Sequence, residues 1–129
     1  MKYFSMKELI RSDVAGLKEI DNTPTKDVED KLELLINNIL DPIREMWGRP
    51  LTVNSGYRCE ELNKVIGGKP TSQHLKGEAA DITTGSKSGN MELFEMIKNS
   101  GISFGQLIDE CGYSWIHVSL GTKKQILHL

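Results

Sequence analysis

Val28, Leu32, Leu35, Ile36, Ile39, Ile43, Met46 and Trp47 follow one another mostly at steps of three and four residues. That spacing gathers them on one face of a coil turning every 3.6 residues, and it predicts one long amphipathic helix over about 25–47. A stripe that long needs an apolar surface to cover it, so the remaining chain has to supply a sheet or further helices. The chain has 129 residues, which suits a single domain, 1–129, built around one core.

Composition excludes several functions. The formal net charge is -2, so there is no basic footprint for nucleic acid. It gives no general pull toward an anionic surface either, and any recognition of a negative substrate must come from local groups. No run approaches the roughly 18 apolar residues of a membrane span. The opening MKYFSMKELIRSD lacks the apolar stretch of a signal peptide. The expectation is a chain made in the cytoplasm without a signal peptide, which something else must release if its substrate lies outside the membrane. Cys59 and Cys111 fit no Cys-x-x-Cys pattern and are expected to be reduced thiols or a single bridge.

Turn signals divide the rest. Residues 4–20 have a helical pattern interrupted at Ser12-Asp13. Thr23 is placed to cap the long helix with Pro24 at its first position, and Gly48-Arg49-Pro50 ends it. Leu51–Val53 is a short strand, 59–66 a short helix closed by Gly67-Gly68, and 69–78 polar and irregular. Ala79–Thr83 is a strand of small residues, Gly85–Asn90 a loop, and Met91–Lys98 a helix with Gly101 at its C-terminal cap. Phe104–Glu110 and Trp115–Leu120 are strands joined through Cys111-Gly112-Tyr113-Ser114 as a hairpin. The expected fold class is α+β: N-terminal helices packed on a small, mostly antiparallel sheet, with one helix inserted.

The stretch that carries chemistry is Ser72-Gln73-His74-Leu75-Lys76-Gly77-Glu78-Ala79-Ala80-Asp81. Imidazole and carboxylate suit a borderline cation such as zinc. Gly77 allows a turn between them, and Ala79 leaves room beside the metal. By residue type alone, a His and an Asp seven apart also fit a solvated loop. Trp115-Ile116-His117-Val118-Ser119 adds a histidine inside an apolar strand. A lone histidine there is usually a satisfied core residue. Together, two His and one Asp complete a three-ligand zinc site with a fourth position for water, although the same set also serves iron(II).

Ser72-x-His74-x-x-Gly77-x-Ala79-x-Asp81 followed by Trp115-x-His117-x-Ser119 resembles the signature of the D-Ala-D-Ala carboxypeptidase-like zinc peptidases. This is family fifteen of the metallopeptidases, which shares its fold with the Hedgehog signalling domain. Ser55-Gly56-Tyr57-Arg58-Cys59 with Leu62-Asn63 and Val65-x-Gly67-Gly68 resembles an upstream motif of the family. Phe104-x-Gln106-Leu107-Ile108-x-Glu110 resembles the strand before its last histidine. The compact layout, covering about residues 4–120, is similar to small phage and prophage cell-wall lysis enzymes.

The resemblance implies Zn(2+) held by His74, Asp81 and His117, and a monomer acting on a peptidoglycan stem peptide as a D-Ala-D-Ala carboxypeptidase or an L-Ala-D-Glu endopeptidase. It implies that Arg58 faces the substrate, where its fork of donors suits a carboxylate or developing oxyanion. Ser72 is a substrate donor or a loop cap, and Gln106 and Trp115 are further candidates for contact with substrate. Many members carry an acid three residues before the last histidine, and here that position is Ser114. Strand geometry offers a replacement. If 111–114 form a four-residue turn, Glu110 faces Trp115, and Gln106, Ile108 and Glu110 share a face with Trp115, His117 and Ser119. A one-residue slip presents Asp109 instead, and a third possibility leaves Glu110 a solvated hairpin end. The missing acid also keeps open an alternative: a catalytically inactive, zinc-containing cell-wall-binding module on the same fold. His128 is expected in a disordered tail, and Lys123-Lys124 in a solvated turn.

Overall fold

A computed structural model describes residues 1–129. The apolar stripe forms one unbroken helical rod in three parts: α3 (Lys26–Leu35), a π-helical turn (Ile36–Leu40) and α4 (Asp41–Trp47). Pro42 explains the middle part. Proline has no N–H to donate, and its ring collides with the carbonyl four residues back. Widening the preceding turn relieves that clash, and the Asp41 N–H bonds to the Ile36 carbonyl, five residues earlier. The rod buries Leu32, Leu35, Ile36, Ile39, Leu40 and Ile43. Its N-terminal cap is Thr25, whose hydroxyl accepts from the Val28 N–H, so Thr23 and Pro24 lie just ahead of the helix. Thr23 instead bonds the Asp21 carboxylate through its own N–H and hydroxyl, a local Asx arrangement that competes for the capping role.

The polar break at Ser12-Asp13 separates two short helices, α1 (Met6–Ile10) and α2 (Asp13–Leu17), capped by Ser5 and Ser12. The segment before α1 is tied to the rod by the Asp41 carboxylate, which accepts from the N–H groups of Lys2, Tyr3 and Phe4. Phe4 and Leu9 are thereby delivered to the core.

Five strands follow: β1 (Thr52–Ser55), β2 (Ala79–Thr83), β3 (Gln106–Glu110), β4 (Trp115–Ser119) and β5 (Gln125–His128), in the order β1-β2-β4-β3-β5. The β1–β2, β2–β4 and β4–β3 pairings are antiparallel, and β5 runs parallel to β3 at the edge. Two more helices are α5 (Glu60–Val65), capped by Cys59, and α6 (Lys87–Lys98), capped by Ser86. The segment expected as a loop over 85–90 therefore contains the first turn of α6. The Ser86 hydroxyl accepts from the Gly89 N–H and offsets the poor helix propensity of Ser88 and Gly89. The helix ends at Asn99, so Gly101 (φ 80°) lies two residues beyond the cap position.

Ala80, Ile82, Leu107, Ile116 and Val118 face the helices and join one apolar cluster with the rod and with Leu93, Phe94 and Ile97 of α6. Cys111, Gly112 and Tyr113 form the β3–β4 turn with positive φ throughout. Ser114 closes the turn by donating its hydroxyl to the Cys111 carbonyl at 2.7 Å. Asn90, buried on α6, braces the same turn by donating to the Tyr113 carbonyl at 2.9 Å. Both cysteines are free thiols.

β5 was not apparent from the sequence, and it corrects the expectation for His128. That residue donates a ring N–H to the buried Asp109 carboxylate and lies 5.4 Å, centroid to centroid, from the Phe94 ring. It is part of the sheet edge and not a loose tail. Lys123 and Lys124 lie in the exposed turn before it.

Gly77 sets the approach of the site loop to the rod. Its φ is 72°, and a Cβ there would lie 2.9 Å from both Val28 Cγ1 and the Val28 carbonyl oxygen. Left-handed strain of about 1–2 kcal/mol adds to this clash with the backbone. Gly77→Ala is expected to lower stability by at least about 2 kcal/mol, read as a fall in the denaturation midpoint with an unchanged m-value.

Candidate metal centre

Two central strands and one loop build the site. Asp81 of β2 and His117 of β4 are direct cross-strand partners. Alternation along β4 sends Ile116 and Val118 into the core and His117 to the opposite face. His74 comes from a short 3-10 turn (Gln73–Lys76), capped by the Ser72 hydroxyl and closed by Gly77. Ala79 precedes Asp81 by two on the same face and adds little bulk beside it.

His74 Nε2 lies 3.3 Å from Asp81 Oδ1, and His117 Nδ1 lies 3.0 Å from the same oxygen. One ligand atom from each residue lies within 4.8 Å of the others, and all three residues are buried. The proton positions give this meaning. His74 Nδ1 is 2.7 Å from the Gly56 carbonyl oxygen. A carbonyl only accepts, so Nδ1 carries the hydrogen and Nε2 presents a lone pair. That lone pair faces a carboxylate oxygen, two acceptors with nothing between them to donate. His117 repeats the pattern, with Nε2 3.0 Å from Gln73 Oε1 and Nδ1 toward Asp81.

Three acceptors aimed at one point fit a cation. Donors at about 2.0–2.2 Å from one tetrahedral ion lie roughly 3.3–3.5 Å apart, which two of the contacts already approach. Burial opposes the negative charge of Asp81, and only positive charge at this point, on protonated His117 and His74 or on a cation held in their place, outweighs it and holds the carboxyl well below the usual carboxylate range.

The site opens into a cleft of about 750 Å³. Arg58, Ser72, Gln106, Glu110 and Trp115 all line it. The Arg58 N–H bonds the His74 carbonyl at 3.1 Å, and its Nη2 donates to Ser72 Oγ at 3.2 Å. Its Nε is buried without a partner. Burial lowers the guanidinium's pKa, while Asp81 and Glu110 raise it again, so a charged fork stands beside the cleft. Ser72 thus caps the turn and also contacts Arg58. Gln106 donates to Gln125 of β5 at 2.9 Å.

Glu110 pairs with Trp115 and Ile108 with His117. This is the register that puts Glu110 on the cleft face. Its carboxylate accepts from the Trp115 indole N–H. Asp109 points to the other side, paired with His128, so it cannot reach the cleft. Some parts of the site went unrecognised in the sequence: the Gly56 carbonyl, Gln73 as the partner of His117, and a wall from Leu127 of β5. A main-chain oxygen has no residue signature, and Gln73 is an ordinary polar residue beside a conspicuous histidine.

Residues 2–119 match the family model described as Peptidase M15. The zinc D-Ala-D-Ala carboxypeptidase of Streptomyces albus G is 38% identical over 58 residues, which cover 45% of this chain and 22% of that protein. The chain thus matches about a fifth of the length of this curated relative. The family match spans both strands, the loop and all three converging side chains, and the chain belongs to the peptidase M15 family.

Proposed function

We propose that this chain is a zinc-dependent peptidase that cuts peptidoglycan stem peptides, built on the Hedgehog/DD-peptidase fold. The observation that carries this reading is the bare lone pair of His74 facing the Asp81 carboxylate at 3.3 Å, with His117 completing the set. Family membership and the named activity of the Streptomyces relative support zinc and an acyl-D-amino-acid substrate.

His74 Nε2, one Asp81 oxygen and His117 Nδ1 would hold the ion. Zinc bound there supplies Lewis acidity, which polarises a scissile carbonyl and lowers the pKa of water. The protein's own groups do the rest. Glu110 takes a proton at its carboxylate as water attacks, then returns it to the leaving amine. Arg58 turns its fork to a substrate carboxylate or to the oxyanion of the tetrahedral species. Ser72, Gln106 and Trp115 contact the peptide along the cleft. Stem peptides are short and acidic, and on a chain of net charge -2 a local arginine is the group suited to read them. The scissile bond is D-Ala-D-Ala or L-Ala-D-Glu. The setting proposed is cell-wall lysis by a phage- or prophage-type enzyme.

Zinc at 100 times its dissociation constant is expected to stabilise the metal-free protein by about 2.7 kcal/mol, read as a rise in melting temperature that chelator reverses. His74→Ala, Asp81→Ala and His117→Ala should each lose that rise and peptide release from purified cell walls together. Retention of zinc by all three would end the ligand assignment.

Glu110→Gln is expected to keep zinc and lose about 100- to 10,000-fold in turnover, with mass spectrometry of the digest naming the bond. Full activity in this variant would remove Glu110 from the reaction. Zinc binding by the wild type without any fragment release would favour the inactive binding module.

A further inference from the structure

The two imidazoles are held by different means. His74 gives its far N–H to a main-chain carbonyl, that of Gly56, at 2.7 Å. His117 has only a side chain in the equivalent place, the Gln73 amide oxygen at 3.0 Å. A neutral imidazole carries one hydrogen, and the nitrogen that faces a cation must be the bare one. In His117 that nitrogen is Nδ1, 3.0 Å from Asp81. The carboxylate alone favours the wrong arrangement, because it would draw the hydrogen onto Nδ1 and cap the lone pair.

We propose that Gln73 is a positioning residue: by accepting the Nε2–H of His117 it keeps the Nδ1 lone pair turned to the metal point. The proposal rests on the zinc reading above. Placement favours Gln73 for the task. Its backbone is fixed in the capped 3-10 turn, where its carbonyl accepts from the Glu78 N–H at 3.2 Å. The side chain therefore reaches β4 from a rigid base, and the residue that orients one histidine is adjacent in sequence to the other. An amide oxygen does this without adding charge next to Asp81. Partners of this type commonly alter metal affinity 10- to 100-fold when removed.

The test compares the full-length wild type with Gln73→Leu, which lacks the acceptor, and Gln73→Glu, which restores one. Zinc affinity is read by competition with a chromophoric chelator. The hydrogen on His117 is located by nitrogen-15 NMR of the zinc-loaded wild type. The expected result is hydrogen on Nε2 in the wild type, at least a tenfold loss of zinc affinity in Gln73→Leu, and near wild-type affinity in Gln73→Glu. Wild-type affinity in Gln73→Leu would overturn the proposal, as would equal losses in both variants. A change confined to KM would also overturn it, leaving Gln73 a substrate contact. The NMR result stands without either variant, and hydrogen on Nδ1 would refute the proposal outright. Failure of the wild type to bind zinc is a separate outcome that removes the metal reading, and this proposal with it.

Discussion

The pairing of β2 with β4 is the constraint on which the site depends. Asp81 and His117 lie opposite each other because Ala80 pairs with Val118 and Ile82 with Ile116, and those four residues are fully buried against the helices. The core thus enforces the register. A slip of one residue would turn one strand over relative to the other, sending Asp81 or His117 inward and that strand's two apolar side chains out, so the apolar face of the sheet holds the polar face in alignment. His74 is the third member, and it is located by main chain: the Gly56 carbonyl on one side and the Arg58 N–H on its own carbonyl on the other.

Glycine makes that close approach feasible. A Cβ on Gly56 would come within 2.3 Å of the Leu9 carbonyl oxygen, and the Tyr57 N–H bonds that same oxygen at 2.7 Å. The N-terminal helices, β1 and the site loop consequently meet at one narrow place. Gly77 plays the matching part on the other flank of the 3-10 turn, against α3. The loop carrying His74 is therefore wedged between two backbones, which limits how far its imidazole can drift from β2.

Part of this was legible in the sequence through periodicity, and part through the family resemblance. The apolar stripe of the rod rests on a repeat of 3.6, and the face shared by Gln106, Ile108 and Glu110 on a repeat of 2; the strand 79–83 was marked by its small residues, and the resemblance favoured the pairing of Glu110 with Trp115 over a slipped register. What escaped depends on partners distant in sequence. β5 is four residues long and acquires its meaning only beside β3, where Asp109 receives His128. The start of α6 was obscured because Ser86, Ser88 and Gly89 have the composition of a loop and become helical through a cap. The cap of the rod shifted from Thr23 to Thr25 because two threonines two residues apart compete for it. At the site, the side chains that would bear charge or a metal were recognisable by type, whereas the carbonyls that orient them were not.

The order of the chain has a kinetic consequence. His74 and Asp81 are near neighbours in sequence, but His117 arrives only after α6 and β3 have been laid down between β2 and β4. An ion shared by all three would bridge the two central strands across a long loop. Such a bridge forms late, after the costly closure is complete, and belongs to the native state more than to the barrier before it. It would therefore act mainly as a brake on unfolding and contribute little to the speed of folding. Persistence of that kind is a matter of the unfolding barrier and not of rapid assembly.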